Sequence, residues 1–173
     1  EPERETNRLA SSMGSILGCA FFYLLAPAIV SSPAVRDVFL AEPQIQLTTK
    51  LWNTVDTAIF SIGPELDAPA YSYIPREYLD LEKAAKAGGV GDVLGRIIDE
   101  KGKELALPFN EHLMSIPFAT LLKIPRRVGI GGGAQKCRGV LAALRGGLVN
   151  ILVTDYETGS YILQMEAMQR DSV

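Results

Sequence analysis

His112 is the only histidine in the chain, so no cluster of imidazoles can hold a metal, and a Ser-His or Cys-His catalytic pair would rest on that one residue. Cysteine is nearly as scarce. Cys19 and Cys137 stand far apart with no C-x-x-C spacing, which argues against a zinc site or a disulfide framework and reads as two reduced thiols. Positive charge is not in excess: the net charge is −3, whereas a surface built to coat nucleic acid is normally basic. Long apolar runs are missing too. The stretch from Ile16 to Val30 is interrupted by Gly18 and Pro27 and follows the polar segment Glu1 to Ser12, too short for a bilayer crossing and without the basic start of a secretory signal. A cytoplasmic chain without a membrane segment is the expectation. No internal repeat or low-complexity tract is visible.

What remains is ordinary globular composition, with 173 residues, 47% hydrophobic and 21% charged, enough for one domain with its own core. Strands and helices alternate along it. Thr6 to Met13 reads as a helix and Cys19 to Leu25, dense in aromatic residues, as a buried strand. Ser32 followed by Pro33 is an N-cap with proline at the first helical position, opening a helix to about Leu40. Gln44 to Asn53 is a further helix, and Asp56 to Ile62 a second buried strand that stops at Gly63-Pro64. The proline- and tyrosine-rich stretch from Pro64 to Ile74 reads as a loop or lid. Arg76 to Ala87 reads as helical, with Gly88-Gly89 as its stop signal. Val93 to Asp99 is an expected strand ending in a tight turn at Gly102; Leu113 to Ile116 a short strand; Pro117 opens a helix to Lys123. The chain closes with strand Arg126–Ile130, helix Ala134–Arg145, strand Val149–Val153 and a helix from about Tyr156 to Met168. Cys137, Val140, Leu141 and Leu144 follow helical spacing, so one stripe packs on a sheet. Continuous apolar strands separated by helices predict a mainly parallel α/β sheet with helices on both faces.

The chemistry concentrates between Arg126 and Asp155. A short strand runs into Gly129, Gly131, Gly132 and Gly133, and a helix follows with Lys136 in its first turn. A tight connection needs only one or two glycines, so three in a row favour close backbone approach to a ligand over a purely structural turn. Backbone amides, the helix dipole and the lysine together favour an anion. The loop is not a Walker A motif, because no Gly-Lys-Ser/Thr follows. It does match G-x-G-x-x-A through Gly129, Gly131 and Ala134, with Asp155 ending the next strand as in a dinucleotide-binding unit, but few residues are left after Asp155 for the rest of such a domain. Lys136 is either a solvated helix lysine or a ligand contact, through charge or, if desolvated, amine chemistry.

A second glycine-framed position is Gly88-Gly89-Val90-Gly91-Asp92, where the carboxyl is either a turn residue or a polar group at a strand edge. Glu65 and Asp67 are lid candidates. His112 reads as a surface or turn residue, Trp52 as a core or interface aromatic, and Asp99, Glu100 and Glu104 as solvated turn charges.

The string VGIGGGAQKCRGVLAALRGGLVNILVTDYET closely resembles the C-terminal part of the sugar-binding domain of SorC/DeoR-type bacterial transcriptional regulators. Four upstream pieces fit the same family in the same order: YLLAPAIVSSPAVRDVFLAEP, WNTVDTAIFSIGP, GGVGDVLGRIID and PFNEHLMSIPFATLLKIP. The resemblance implies an effector-sensing domain related in fold to ribose-5-phosphate isomerase and glucosamine-6-phosphate deaminase. It further implies a phosphorylated sugar as effector, with no cofactor, metal or catalytic residue. Asp92 would accept hydrogen bonds from sugar hydroxyls, Lys136 would contact the sugar's oxygens, Gly131, Gly132 and Gly133 would line the pocket, and Gly63 would end a pocket-facing strand. A homo-oligomer, dimer or tetramer, belongs to the same expectation. Residues 1–173 would form this one domain without the family's first strand and its G-x-G-R-T phosphate loop, and operator DNA would be reached only through a helix-turn-helix domain not in this chain. Two other readings stay open: a sugar-phosphate isomerase or deaminase on the same fold, for which a placed general base is needed, and a dinucleotide-binding fragment.

Overall fold

The computed structural model describes residues 6–66, 69–72, 74 and 76–170. Its centre is a three-stranded parallel sheet made from β1 (Thr57–Ser61), β4 (Arg126–Ile130) and β5 (Ile151–Val153), in the order β1-β4-β5. Ile59 pairs with Val128 and Val128 with Ile151; one step on, Phe60, Gly129 and Leu152 line up. Side chains alternate along a strand, so this second row shares a face, and it is the face turned to the core. There Phe60 packs with Ile62, Val140, Leu141, Leu148, Val149 and Ile162. Gly129 has to be glycine, because a Cβ would lie 2.5 Å from Val149 Cγ2. On the other face Ile59, Ile130, Ile151 and Val153 are exposed.

The α/β architecture with helices flanking a parallel sheet is the one expected. The helices are α1 (Thr6–Leu17), α2 (Pro33–Ala41), α3 (Pro43–Thr49), α4 (Leu81–Lys86), α5 (Phe118–Leu121), α6 (Cys137–Arg145) and α7 (Tyr156–Arg170). Ser32 caps α2 as predicted, its Oγ accepting from Val35 N at 3.2 Å. Helix α6 is buried on more than its predicted stripe, since Gly139, Ala142 and Ala143 are buried along with Val140 and Leu141. The reason is a second layer, the antiparallel hairpin of β2 (Gly89–Val93) and β3 (Arg96–Asp99), which packs on α6. The hairpin's far turn meets the end of that helix so closely that a Cβ on Gly102 would lie 2.3 Å from the Ala142 carbonyl oxygen.

Four local expectations give way. The stretch read as one strand, Val93 to Asp99, is folded in two by a turn at Leu94 and Gly95, whose φ values of 55° and 81° are those of a two-residue hairpin turn. Asp92 therefore lies within β2. The Cys19–Leu25 strand does not form. A strand needs a ladder partner, and this segment is held instead by the Asn7 side chain on Leu24 N and O (3.0 and 2.9 Å) and by Thr48 Oγ1 donating to Tyr23 O at 2.6 Å. Helix α4 is shorter than predicted because Asp80 caps it, accepting from Lys83 N at 2.9 Å. The Leu113–Ile116 strand is reduced to a single bridge from Leu113 to Ile29.

Candidate functional site

Strand β1 is followed by Ile62-Gly63 and β4 by the glycine loop, so both open at the carboxyl edge of the sheet, where open α/β sheets place their ligands. Hairpin β2–β3 is brought to that edge by the Gly63 N–H, which donates to Asp92 O at 2.8 Å, and by an Ile62–Val93 bridge. Three glycines let the layers meet. A Cβ on Gly91 would lie 3.1 Å from Gly139 Cα and 3.2 Å from Gly63 O, and one on Gly139 would lie 3.1 Å from Gly63 O.

This contact leaves Asp92 half-buried. Its Oδ2 accepts from Gly95 N at 2.9 Å, and Tyr71 Oη lies 2.8 Å from Oδ1 and 2.7 Å from Pro64 O. Burial pushes the Asp92 carboxyl above the usual carboxylate range, opposed by the Gly95 amide and by the positive charge of Lys136. Lys136 stands at the N-cap position of α6, half-buried, and no hydrogen bond or ion pair ties its ammonium group among the described residues. Gly63 and Asp92, distant in sequence, therefore meet, and the Lys136 charge acts on the same carboxyl.

The glycine loop is arranged differently. Gly131 is buried and its N–H is taken by Val153 O at 3.1 Å; a Cβ there would sit 3.0 Å from Val140 Cγ2. Gly132 and Gly133 wrap around a carboxylate belonging to the chain itself. Asp155 Oδ2 accepts from Gly133 N at 2.6 Å, Oδ1 accepts from Thr158 N at 2.7 Å, and a Cβ on Gly132 would lie 2.2 Å from Oδ2. Gly133 has φ +93°, a value glycine adopts at no steric cost. Asp155 is thus engaged locally, and the amides from Thr158 and Gly133 hold its carboxyl below the usual carboxylate range.

Of the other candidates, Glu65 is half-buried and its N–H donates to Gln135 O at 2.8 Å, tying the start of the 64–74 loop to the turn that carries Lys136. Asp67 lies outside the described residues. His112 is engaged elsewhere, with Nδ1 2.8 Å from Val30 O and its ring 5.0 Å from that of Tyr78. Glu104 is not a solvated turn charge: it binds the buried Arg96 guanidinium at 2.7 Å. Trp52 lies half-buried in the short helix after α3. Among the described residues no three His, Cys, Asp or Glu side chains group as a metal site, and no helix is long and apolar enough to cross a membrane. Tyr71 escaped the sequence reading, since a tyrosine in a proline-rich loop carries no spacing signal. It also lines a cavity of about 890 Å³ beneath the loop, with Leu66, Ile74 and Leu79.

A family described as "Putative sugar-binding domain" matches residues 1–164. The transcriptional regulator LsrR of Escherichia coli K12 is 40% identical over 80 residues, 46% of this chain and 25% of that protein. LsrR of Enterobacter sp. strain 638 is 27% identical over 151 residues, 85% of this chain and 47% of that protein. The chain therefore spans between a quarter and about half of the curated relatives it matches. Among solved structures, a DeoR family transcriptional regulator from Listeria monocytogenes superposes with a TM-score of 0.83 at 27% identity, covering 90% of this chain and 64% of that one. The full-length sorbitol operon regulator SorC from Klebsiella pneumoniae gives 0.87 at 24% identity, covering 94% and 53%, a likeness of fold.

Proposed function

The chain belongs to this sugar-binding domain family, and from that premise we propose that it senses a phosphorylated sugar for a transcriptional regulator, controlling how a linked helix-turn-helix domain holds operator DNA. The observation that carries this reading is the convergence of Gly63, Asp92 and Lys136 at the carboxyl edge of the parallel sheet. A half-buried carboxyl beside a cation that has no partner among the described residues suits a ligand bearing both hydroxyls and an anionic group. Gly131, Gly132 and Gly133 form the wall next to Lys136.

The role is binding rather than turnover. His112, the chain's one imidazole, is engaged by Val30 O. Asp155, the acid that a dinucleotide-binding unit would turn to a ribose, is engaged by Gly133 and Thr158 instead. Signalling follows from differential affinity: the effector favours one arrangement of subunits in a cytoplasmic homo-oligomer, and the DNA-binding arms respond.

A thermal-shift panel tests the reading. Phosphorylated pentoses and hexoses, the same sugars without phosphate, and NAD are compared on this chain and on Lys136→Ala. The expected result is stabilisation by a phosphorylated sugar alone, weakened in the variant; ligand at 100 times its dissociation constant contributes about 2.7 kcal/mol. Stabilisation by NAD would support a dinucleotide site instead, and conversion of the sugar phosphate during incubation would support an isomerase or deaminase.

A further inference from the structure

Tyr71 Oη lies 2.7 Å from the Pro64 carbonyl oxygen and 2.8 Å from Asp92 Oδ1. Both separations are those of full O–H···O hydrogen bonds. A phenol carries one proton, and that proton cannot lie along both lines. If the carboxyl were ionised, one of the two contacts would set oxygen against oxygen with no hydrogen between. A second proton resolves this, and Asp92 can carry it: Oδ1–H donates to Tyr71 Oη, and Tyr71 Oη–H donates to Pro64 O. The remaining oxygen, Oδ2, accepts from Gly95 N at 2.9 Å, as the carbonyl oxygen of a neutral acid does.

We infer that Asp92 is protonated in the effector-free protein, forming a hydrogen-bond chain Asp92 to Tyr71 to the Pro64 carbonyl, and that Lys136 is left as the uncompensated charge of the site. Burial acts in the same direction, disfavouring the ionised carboxyl more than any neighbour favours it. Among the described residues few groups face Asp92. The loop contributes Tyr71, the turn before α6 contributes Lys136, and the hairpin contributes the Gly95 amide. Arg138, further along α6, is paired with Glu100 at 2.8 Å and senses Glu65.

The charge state decides the ligand class. An ionised Asp92 would cancel Lys136 and leave a site for neutral polyols. A protonated Asp92 leaves one positive charge, which suits a sugar with a single anionic group, phosphate or carboxylate. The Gly133 amide is already taken by the Asp155 carboxylate, so the ammonium of Lys136 is the group to meet that anion. This ligand class rests on the effector-binding reading above; the proton chain does not.

The test is a carbon-13 NMR pH titration of the whole chain labelled at the aspartate carboxyl carbons, with Asp92 assigned by the signal lost in Asp92→Asn. The expected result is an Asp92 carboxyl still protonated at neutral pH, with a midpoint that moves down in Tyr71→Phe, where the neutral acid loses its acceptor. An Asp92 already ionised at neutral pH would overturn the inference. So would a midpoint that rises in Tyr71→Phe, the signature of a tyrosine donating to an ionised carboxylate. Should Tyr71→Phe not fold, the infrared carbonyl stretch of a protonated carboxyl, present in wild type and lost in Asp92→Asn, reads the same proton. If the titration behaves as expected while every sugar phosphate leaves the thermal midpoint unmoved, the effector reading fails and the proton chain stands.

Discussion

The Cα of Gly63 and the carboxyl of Asp92 are so close that a methyl group on Gly63 would lie 1.6 Å from Asp92 Oδ1 and 2.9 Å from Tyr71 Oη. The end of β1, the hairpin and the loop thus converge on one glycine, whose missing side chain is the space that the carboxyl occupies. Gly91 and Gly139 repeat the device at the same junction.

Gly63→Ala should therefore destabilise the domain by about 1–3 kcal/mol, the cost typical of overpacking a tight interior, and should displace Asp92 from Tyr71. Gly159→Ala is the control, since a Cβ there meets nothing closer than Thr154 Cγ2 at 3.8 Å. Denaturant unfolding of the two variants checks this; equal midpoints would contradict it.

Asp92 and Asp155 should respond to pH in opposite directions. Asp92 is held above its unfolded value of about 3.9 chiefly by burial. Its contribution is fully present below that value and fades as pH rises through the folded midpoint. Asp92→Asn, which cannot ionise, should gain thermal stability relative to wild type on going from acid to neutral pH. A constant difference between the two melting curves would count against the raised midpoint.

Asp155 is held below its unfolded value by the Thr158 and Gly133 amides, so its contribution is present above about pH 3.9 and is lost as pH falls through the folded midpoint. Asp155→Ala should be less stable than wild type at neutral pH, with the gap closing on acidification. Hydrogen exchange at Gly133 N–H should also speed up, because the bond to Oδ2 is gone. Unchanged protection at Gly133 would show that Thr158 Oγ1, 3.0 Å from the same nitrogen, holds the loop alone.

Arg96 is buried and binds Glu104 Oε1 at 2.7 Å, with longer contacts from its guanidinium to Ile116 O and Ser115 O at 3.3 and 3.5 Å. Glu104→Gln removes the countercharge from a buried cation and should cost about 1.5–3 kcal/mol, the range for hydrogen bonds to charged groups. Because Glu104 is partly exposed, the low end is expected. Leu121→Ala, with Leu121 fully buried against the sheet, should cost about 2–5 kcal/mol. Urea unfolding midpoints decide both.

Much of this architecture is determined by local sequence. Ser32-Pro33 caps its helix because the cap bond spans three residues, and the strand–glycine–helix–strand run from Arg126 to Val153 carries its own period changes. The convergence of site residues was legible only as chemistry: Asp92 and Lys136 are the residue types a polar ligand needs, and spacing says nothing of their meeting.

Tertiary structure decided the rest. Whether an aromatic run becomes a strand depends on a neighbour to hydrogen-bond with, so Cys19–Leu25 stays out of the sheet while the less apolar Thr57–Ser61 enters it. The glycines behave likewise. Their number in Gly131–Gly133 announces a close approach, but only packing shows that the group drawn close to Gly132 and Gly133 is the carboxylate of Asp155, twenty-two residues from Gly133. Tyr71 is the clearest case. Nothing in a proline-rich loop marks it, and it acquires a role because the fold carries its hydroxyl to the half-buried carboxyl of Asp92 at the edge of the sheet. Local propensity is set by neighbours in the chain, whereas burial, proton affinity and the company of a charge are set by neighbours in space.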